Sequence, residues 1–170
     1  MFLGIDLGTS AVKALVIDED GGVVATAQSP LEVSRPHPLW SEQDPEDWWR
    51  AVEAAVGELA AKGYTADVRA VGLSGQMHGA TLLDRADRPL RPAILWNDGR
   101  SADACRALEE RVPASRRITG NLAMPGFTAP KLVWLRENEP EVASKVSRVL
   151  LPKDYVRLRM TGEAISDCSD

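Results

Sequence analysis

Three short β-type runs open the chain, and they follow one another too closely for a helix to lie between them. Residues 2–7, 11–17 and 23–28 are mostly apolar, separated only by Gly8-Thr9-Ser10 and by Asp18-Glu19-Asp20-Gly21-Gly22. A parallel neighbour needs a long crossover, so strands joined this tightly pair antiparallel. A three-stranded meander is therefore expected at the N-terminus. Residues 34–45 follow with three prolines. Proline fixes φ and keeps the preceding residue out of the helical region, so this stretch reads as an extended loop.

Asp44-Pro45 then opens the best helix in the sequence. Asp44 can cap it, Pro45 suits its first position, and Glu46 and Asp47 complement the dipole. Trp48, Trp49, Val52, Val56 and Leu59 recur at helical spacing, and Gly63 is a natural stop. Val68–Leu73 reads as a buried strand leading into Ser74–Gly79. Ala80–Leu83 and Ala93–Trp96 read as strands joined through a turn at Asp84–Pro89. Residues 101–111 read as a helix, Pro125–Pro130 as loop, Lys131–Glu137 as a short helix and Val149–Leu151 as a strand. A last helix starts at Pro152 and Asp154 and stops near Gly162. The order strand–strand–strand–helix–strand predicts an α/β domain with a mixed sheet, unlike the regular alternation of a doubly wound fold.

Several chemistries are excluded early. The 170 residues carry 20 Lys and Arg against 25 Asp and Glu, a net charge of −5, where a nucleic-acid binder is more often basic. No apolar run approaches the ~20 residues of a membrane helix, and the first residues lack the basic region of a signal peptide. Cys105 and Cys168 lie far apart and read as free thiols in a reducing cytosol. His37 and His78 are scattered, and no Cys/His cluster has zinc spacing. Neither a P-loop nor a dinucleotide fingerprint is present.

Gly4-Ile5-Asp6-Leu7-Gly8-Thr9-Ser10 is the first constellation with chemistry in it. Gly8 has no Cβ, so backbone can approach a bulky anion, and successive N–H groups of such a turn form an anion nest. Thr9 and Ser10 add hydroxyl donors. Asp6 repels phosphate but can hold Mg²⁺ or its waters, and Lys13 can add a point charge toward a terminal phosphate. The plainer alternative is a hairpin turn with a capping Asp.

Gly4–Ser10 followed by Lys13 resembles the first phosphate motif of the actin/hexokinase/heat-shock ATPase fold. Ser34–Pro45, Gly75-Gln-Met-His-Gly79, Ile94–Arg100 and Leu151-Pro-Lys-Asp-Tyr155 narrow the resemblance to the FGGY carbohydrate kinases, over nearly all of the chain and in order. Within that family the likeness is strongest to bacterial members that phosphorylate D-xylulose. The resemblance implies an actin-like (ribonuclease-H-like) α/β domain, with residues 1–170 as its N-terminal kinase part.

The Gly75–Gly79 loop then acquires a ligand. A neutral ketopentose needs donors, acceptors and apolar walls but no countercharge. Gln76, Met77 and His78 stand between two glycines, and His78 can both donate and accept. In the resembled enzymes the matching Met-His pair contacts the ketose; otherwise His78 is a satisfied, partly buried histidine. Trp96 and Asp98 in Trp96–Arg100 suit a carbohydrate equally well, the alternative being an Asp98–Arg100 ion pair bracing a loop. Trp48, Trp49 and Trp134 read as core, His37 as a loop residue, and the acids at 18–20 and 109–110 as solvated surface.

The reaction implied by resemblance is in-line phosphoryl transfer from MgATP to O5 of D-xylulose. The family's aspartate base, adenosine pocket and second phosphate loop lie in a C-terminal domain beyond these residues. The chain is thus expected to be a truncated N-terminal fragment, inactive alone, of a cytoplasmic enzyme for which a homodimer is one assembly. It is expected to have no nucleic-acid or membrane partner. Other readings are a ribulose, gluconate or glycerol kinase of the same family, a non-catalytic sugar- or phosphate-binding module, and a chaperone- or actin-type ATPase.

Overall fold

The structure is a computed structural model, and it describes residues 1–166. Cys168, read above as a free thiol, lies outside them. The chain divides into two compact units. The first comprises residues 1–33, 45–76 and 152–165, and the second residues 34–44 and 77–151 with residue 166.

The first unit is built on a four-stranded sheet. Strands β1 (Phe2–Leu7), β2 (Ala11–Ile17) and β3 (Val23–Pro30) form the expected antiparallel meander, and β5 (Ala70–Gly75) pairs parallel with β1. The sheet is therefore mixed, in the order β3-β2-β1-β5. Period-two alternation puts Leu3, Ile5 and Leu7 of β1 and Val12, Ala14 and Val16 of β2 in the core. Helix α1 (Pro45–Ala61) covers that face with Trp48, Ala51, Val52, Ala55 and Leu59. It ends as Gly63 predicted. Gly63 takes φ +83°, its N–H donates to Ala60, and the Tyr64 N–H donates to the Leu59 carbonyl, which together make a Schellman motif. Helix α6 (Pro152–Thr161) adds buried Tyr155, Val156 and Leu158, with the Tyr155 ring edge-on to Trp48 at 6.4 Å.

Strand β5 corrects the expectation of a buried strand at 68–73. It lies two residues later, and Val71 is 46% exposed. Apolar composition marked the strand but not its register. As the outer strand of the sheet among the described residues, β5 is paired on one side only.

The second unit is made of short pieces. Strand β4 (Glu42–Gln43) pairs with β7 (Ala93–Ile94), and β6 (Thr81–Leu83) pairs with β8 (Arg148–Leu150), all antiparallel. The strands expected at 80–83 and 93–96 are present, the second only two residues long, but they belong to separate sheets and are linked by isolated bridges at Ala80–Ile94 and Leu83–Pro89. Helices α2 (Ala102–Arg111) and α4 (Thr128–Asn138) pack together, and Ala80, Leu82, Ile94 and Leu135 form a buried cluster. Helix α4 starts three residues before the sequence suggested, so Thr128-Ala129-Pro130 are its first turn rather than loop. Proline is tolerated there because first-turn amides have no intrahelical acceptor. The reading of 34–45 as wholly extended loop missed β4, and α3 (Ser115–Thr119) and α5 (Pro140–Ala143) were not anticipated. At five and four residues, neither helix gives a periodicity to read.

Candidate functional site

In the first unit the β1–β2 connection is three residues long, Gly8-Thr9-Ser10. The Gly8 N–H donates to the Ala11 carbonyl at 3.0 Å, and the Leu31 N–H donates to the Ser10 carbonyl at 2.9 Å. A Cβ on Gly8 would stand 2.9 Å from the Ala11 oxygen, so glycine is needed for the turn itself. Asp6 and Lys13 are directly opposed across the β1–β2 ladder, and both are exposed. Opposed residues of an antiparallel pair point to the same face. The acid, the cation and the hydroxyl turn therefore occur within eight residues, on the face of the sheet away from the core.

Gln76 belongs with them. Its N–H extends the β1–β5 pairing by donating to the Leu7 carbonyl at 2.8 Å, and the Thr9 hydroxyl donates to its Oε1 at 3.3 Å. Gln76 is 8% exposed. The strand before it approaches closely: a Cβ on Gly75 would meet Leu7 and the stem of Lys153 at 3.1–3.2 Å. Sequence grouped Gln76 with Met77 and His78, and the structure sets its side chain beside the β1–β2 turn.

In the second unit, Met77 is exposed and His78 is half-buried with φ +57°. The His78 ring lies 4.6 Å from the Phe127 ring, centroid to centroid. The Lys131 ammonium donates to the His78 carbonyl at 2.6 Å and to the Gly126 carbonyl at 2.7 Å. A cavity of about 470 Å³ opens beside His78, walled by Phe127, Thr128, Ile118 and Leu122 among others. Sequence reasoning missed Phe127, Thr128 and Lys131. The available signal was a lone cation, Lys131, next to Leu-Val-Trp in an otherwise apolar stretch.

The Trp96–Arg100 loop is braced from within. The Asp98 side chain is fully buried and accepts from the Ser41 N–H at 2.6 Å, the Arg100 N–H at 2.9 Å and the Arg100 guanidinium at 2.7 Å. Arg100 lies over the Trp40 ring at 3.6 Å and within 2.7 Å of Glu42. Glu42 also pairs with Arg91. Buried ions persist where opposite charge answers them, and this cluster draws its ion-pair and hydrogen-bond partners from three separate segments. The Asp98–Arg100 ion pair is thus the observed geometry at Asp98. Trp96 is 46% exposed.

Other candidates resolve simply. Trp48 is core, Trp49 lies half-buried beneath Arg159, Trp134 packs on the second unit's cluster, and His37 stands in an exposed loop edge-on to Trp40. Burial, and next the charge of Glu109, push the Cys105 thiol up, away from the thiolate that nucleophilic chemistry needs. No group of three or more His, Cys, Asp or Glu among the described residues could hold a metal ion. No helix among them is long and apolar enough to cross a membrane.

Comparison with known proteins agrees with these motifs. The family model for the FGGY family of carbohydrate kinases, N-terminal domain, matches residues 1–170. The xylulose kinase of Escherichia coli strain K12 is 62% identical over 170 residues, which is 100% of this chain and 35% of that protein. A xyloylose kinase from Brucella ovis superposes with a TM-score of 0.92 at 55% identity, over 95% of this chain and 34% of that one. A xylulose kinase from Rhodospirillum rubrum gives 0.90 at 33% identity, over 98% of this chain and 35% of that one. The chain thus spans about a third of the length of the relatives it matches. The fold is that of the actin-like sugar kinases, as the resemblance implied. The chain belongs to the FGGY family of carbohydrate kinases.

Proposed function

We propose that this chain supplies the first phosphate hairpin and the ketose loops of an enzyme that transfers a phosphoryl group from MgATP to D-xylulose, giving D-xylulose 5-phosphate. The observation that carries the reading is 62% identity to a xylulose kinase along the whole chain, both loop regions included.

The chain's residues suit that chemistry. Gly8, Thr9 and Ser10 present backbone and hydroxyl donors to phosphate, and Lys13 adds a positive charge on the same face as Asp6. Mg²⁺ commonly takes one or two carboxylates and completes its shell with water and substrate phosphates. A single exposed Asp6 fits that demand, directly or through water, without a cluster of acids. The ion would neutralise charge on the phosphates. Gln76 backs the hairpin through Thr9. Met77 and His78 receive the ketose, with Trp96 as an apolar wall, and Asp98 serves it by holding the Trp96 loop in place. These contacts position the reactants, which is most of what catalysis of phosphoryl transfer requires. The general base and adenosine pocket come, by resemblance, from sequence outside these residues. We assign the enzyme to the cytoplasm, with small molecules as its substrates and a homodimer as its assembly.

The test is a coupled ADP-release assay on the enzyme containing this chain, with D-xylulose, D-ribulose, gluconate and glycerol compared at equal concentration. D-Xylulose is expected to give the highest kcat/KM. Preference for another sugar would move the chain to another branch of the family, and sugar-independent ATP hydrolysis would contradict the reading. Residues 1–170 alone should show no sugar-dependent turnover, because a positioned base is itself worth about 10²–10⁴ in rate. Turnover by the short chain within tenfold of the long one would place the base inside it.

A further inference from the structure

Lys131 is 1% exposed, an unusual place for a cation. Its ammonium donates to two backbone carbonyls, those of His78 and Gly126. Both matter for the proposed sugar loops. His78 stands at φ +57°, a left-handed conformation that a residue with a Cβ disfavours and that persists where surroundings enforce it. Its carbonyl accepts a second hydrogen bond, from the Thr128 hydroxyl at 3.2 Å. Phe127, next to Gly126 in the chain, sets its ring against the imidazole. Gly126 backs onto the other loop, where a Cβ would stand 2.4 Å from the Trp96 carbonyl oxygen. The start of α4 thus touches the 77–79 loop and the 96–98 loop together, and Lys131 ties it to the first while fixing the glycine that abuts the second.

We propose that Lys131 is a positioning residue for the ketose, holding the His78 imidazole and the Trp96 loop in one arrangement through the carbonyls of His78 and Gly126. This rests on the reading that His78 and Trp96 meet the sugar. A buried lysine that serves stability alone would alter expression and melting but would not act on one substrate through one histidine.

The test is a double-mutant cycle in the enzyme containing this chain, with Lys131→Met, His78→Ala and the pair, reading KM for D-xylulose and for ATP. Lys131→Met should raise the ketose KM about tenfold to a hundredfold, the scale on which small misplacements of positioned groups act. The ATP KM should stay within about twofold, since uniform loss of binding on one substrate leaves the other untouched. The double variant should show clearly less than the sum of the two single effects, because His78→Ala already removes the part of the Lys131 role that acts through His78. Additive effects, or parallel increases in both KM values, overturn the proposal. If Lys131→Met does not accumulate as folded protein, Thr128→Val replaces it, with a smaller ketose effect and the same non-additivity expected. A His78→Ala variant with unchanged ketose KM would overturn the sugar-loop reading and the proposal with it. A His78→Ala effect without one from Lys131→Met would overturn the proposal alone.

Discussion

The β1–β2 hairpin, proposed to meet phosphate, and the loops proposed to meet the sugar are held by different physics. The backbone of Gly8-Thr9-Ser10 is fixed mainly within its own meander, by the β1–β2 register, the Gly8–Ala11 and Leu31–Ser10 hydrogen bonds and a glycine with no room for a Cβ, with the Thr9–Gln76 bond as a single reach further along the chain. The loops at 77–79 and 96–100 are fixed from far along the sequence. Lys131 reaches His78 across 53 residues, Asp98 reaches Ser41 across 57, and Arg100 lies over Trp40 and Trp134. A locally encoded turn keeps its shape wherever its strands pair. A loop tied by distant side chains keeps its shape only while each tie holds, so single substitutions far from the ligand should reach it.

The largest expected effect lies on the hairpin side. Asp6→Asn is nearly isosteric and exposed, so the fold should survive. In the enzyme containing this chain, kcat should fall about 10²-fold or more, the scale for losing one electrostatic stabiliser. Wild-type kcat with unchanged Mg²⁺ dependence would remove Asp6 from the chemistry and leave the hairpin purely structural.

A smaller effect probes the long-range ties. In Gly126→Ala the new methyl meets backbone, the Trp96 carbonyl, which cannot swing aside as a side-chain tip would. The overpacking should cost about 1–3 kcal/mol, seen as a lower Tm, and should raise the KM for D-xylulose while leaving that for ATP unchanged. Equal changes in both would show that the two regions are not separable by substrate.

The smallest effect is a control in the first unit, away from the hairpin. Glu46 accepts from Arg159 at 2.5 Å and from the Tyr155 hydroxyl, and these bonds, the Arg159 one first, hold its carboxyl below the usual value of 4.5. Its contribution is complete above that value and is lost as pH falls through the lowered pKa. Glu46→Gln should therefore cost only about 0.5 kcal/mol at neutral pH, because the pair is well solvated, and the difference should vanish in acid. Tyr155 runs the other way. Burial, and then Glu46, push its phenol from 10.0 up to about 12, so its contribution holds below pH 10 and fades as pH rises toward 12. Thermal melts of both proteins across pH check the sign, and a Glu46→Gln difference that grows in acid would contradict it.

The same contrast explains what could be read in advance. The bounds of β1 and β2, the Asp44-Pro45 start of α1 and its Gly63 stop rest on local rules, and the structure has them where sequence put them. The tight Gly8–Ser10 turn was legible for the same reason. Strand β5 slipped by two residues because its register depends on pairing with β1, which apolar composition does not report. The His78 loop was legible as two glycines around three side chains, but its left-handed backbone and its ties to Phe127, Thr128 and Lys131 were not. Nor could Asp98 be assigned between sugar and ion pair, since its partners include the Ser41 backbone on a segment read only as extended loop. Resemblance supplied the ligands; distance along the chain hid the supports.

The division of labour is most directly tested by calorimetric titration of D-xylulose, without nucleotide, into the wild-type enzyme and its Asp6→Asn and His78→Ala variants. The sugar loops alone should govern this binding. Asp6→Asn should therefore bind the ketose with wild-type affinity, while His78→Ala should lose roughly 1–3 kcal/mol, the cost of one ligand hydrogen bond left unmade. Equal loss in both variants, or wild-type affinity in His78→Ala, would contradict the assignment of phosphate to the hairpin and sugar to the distant-tied loops.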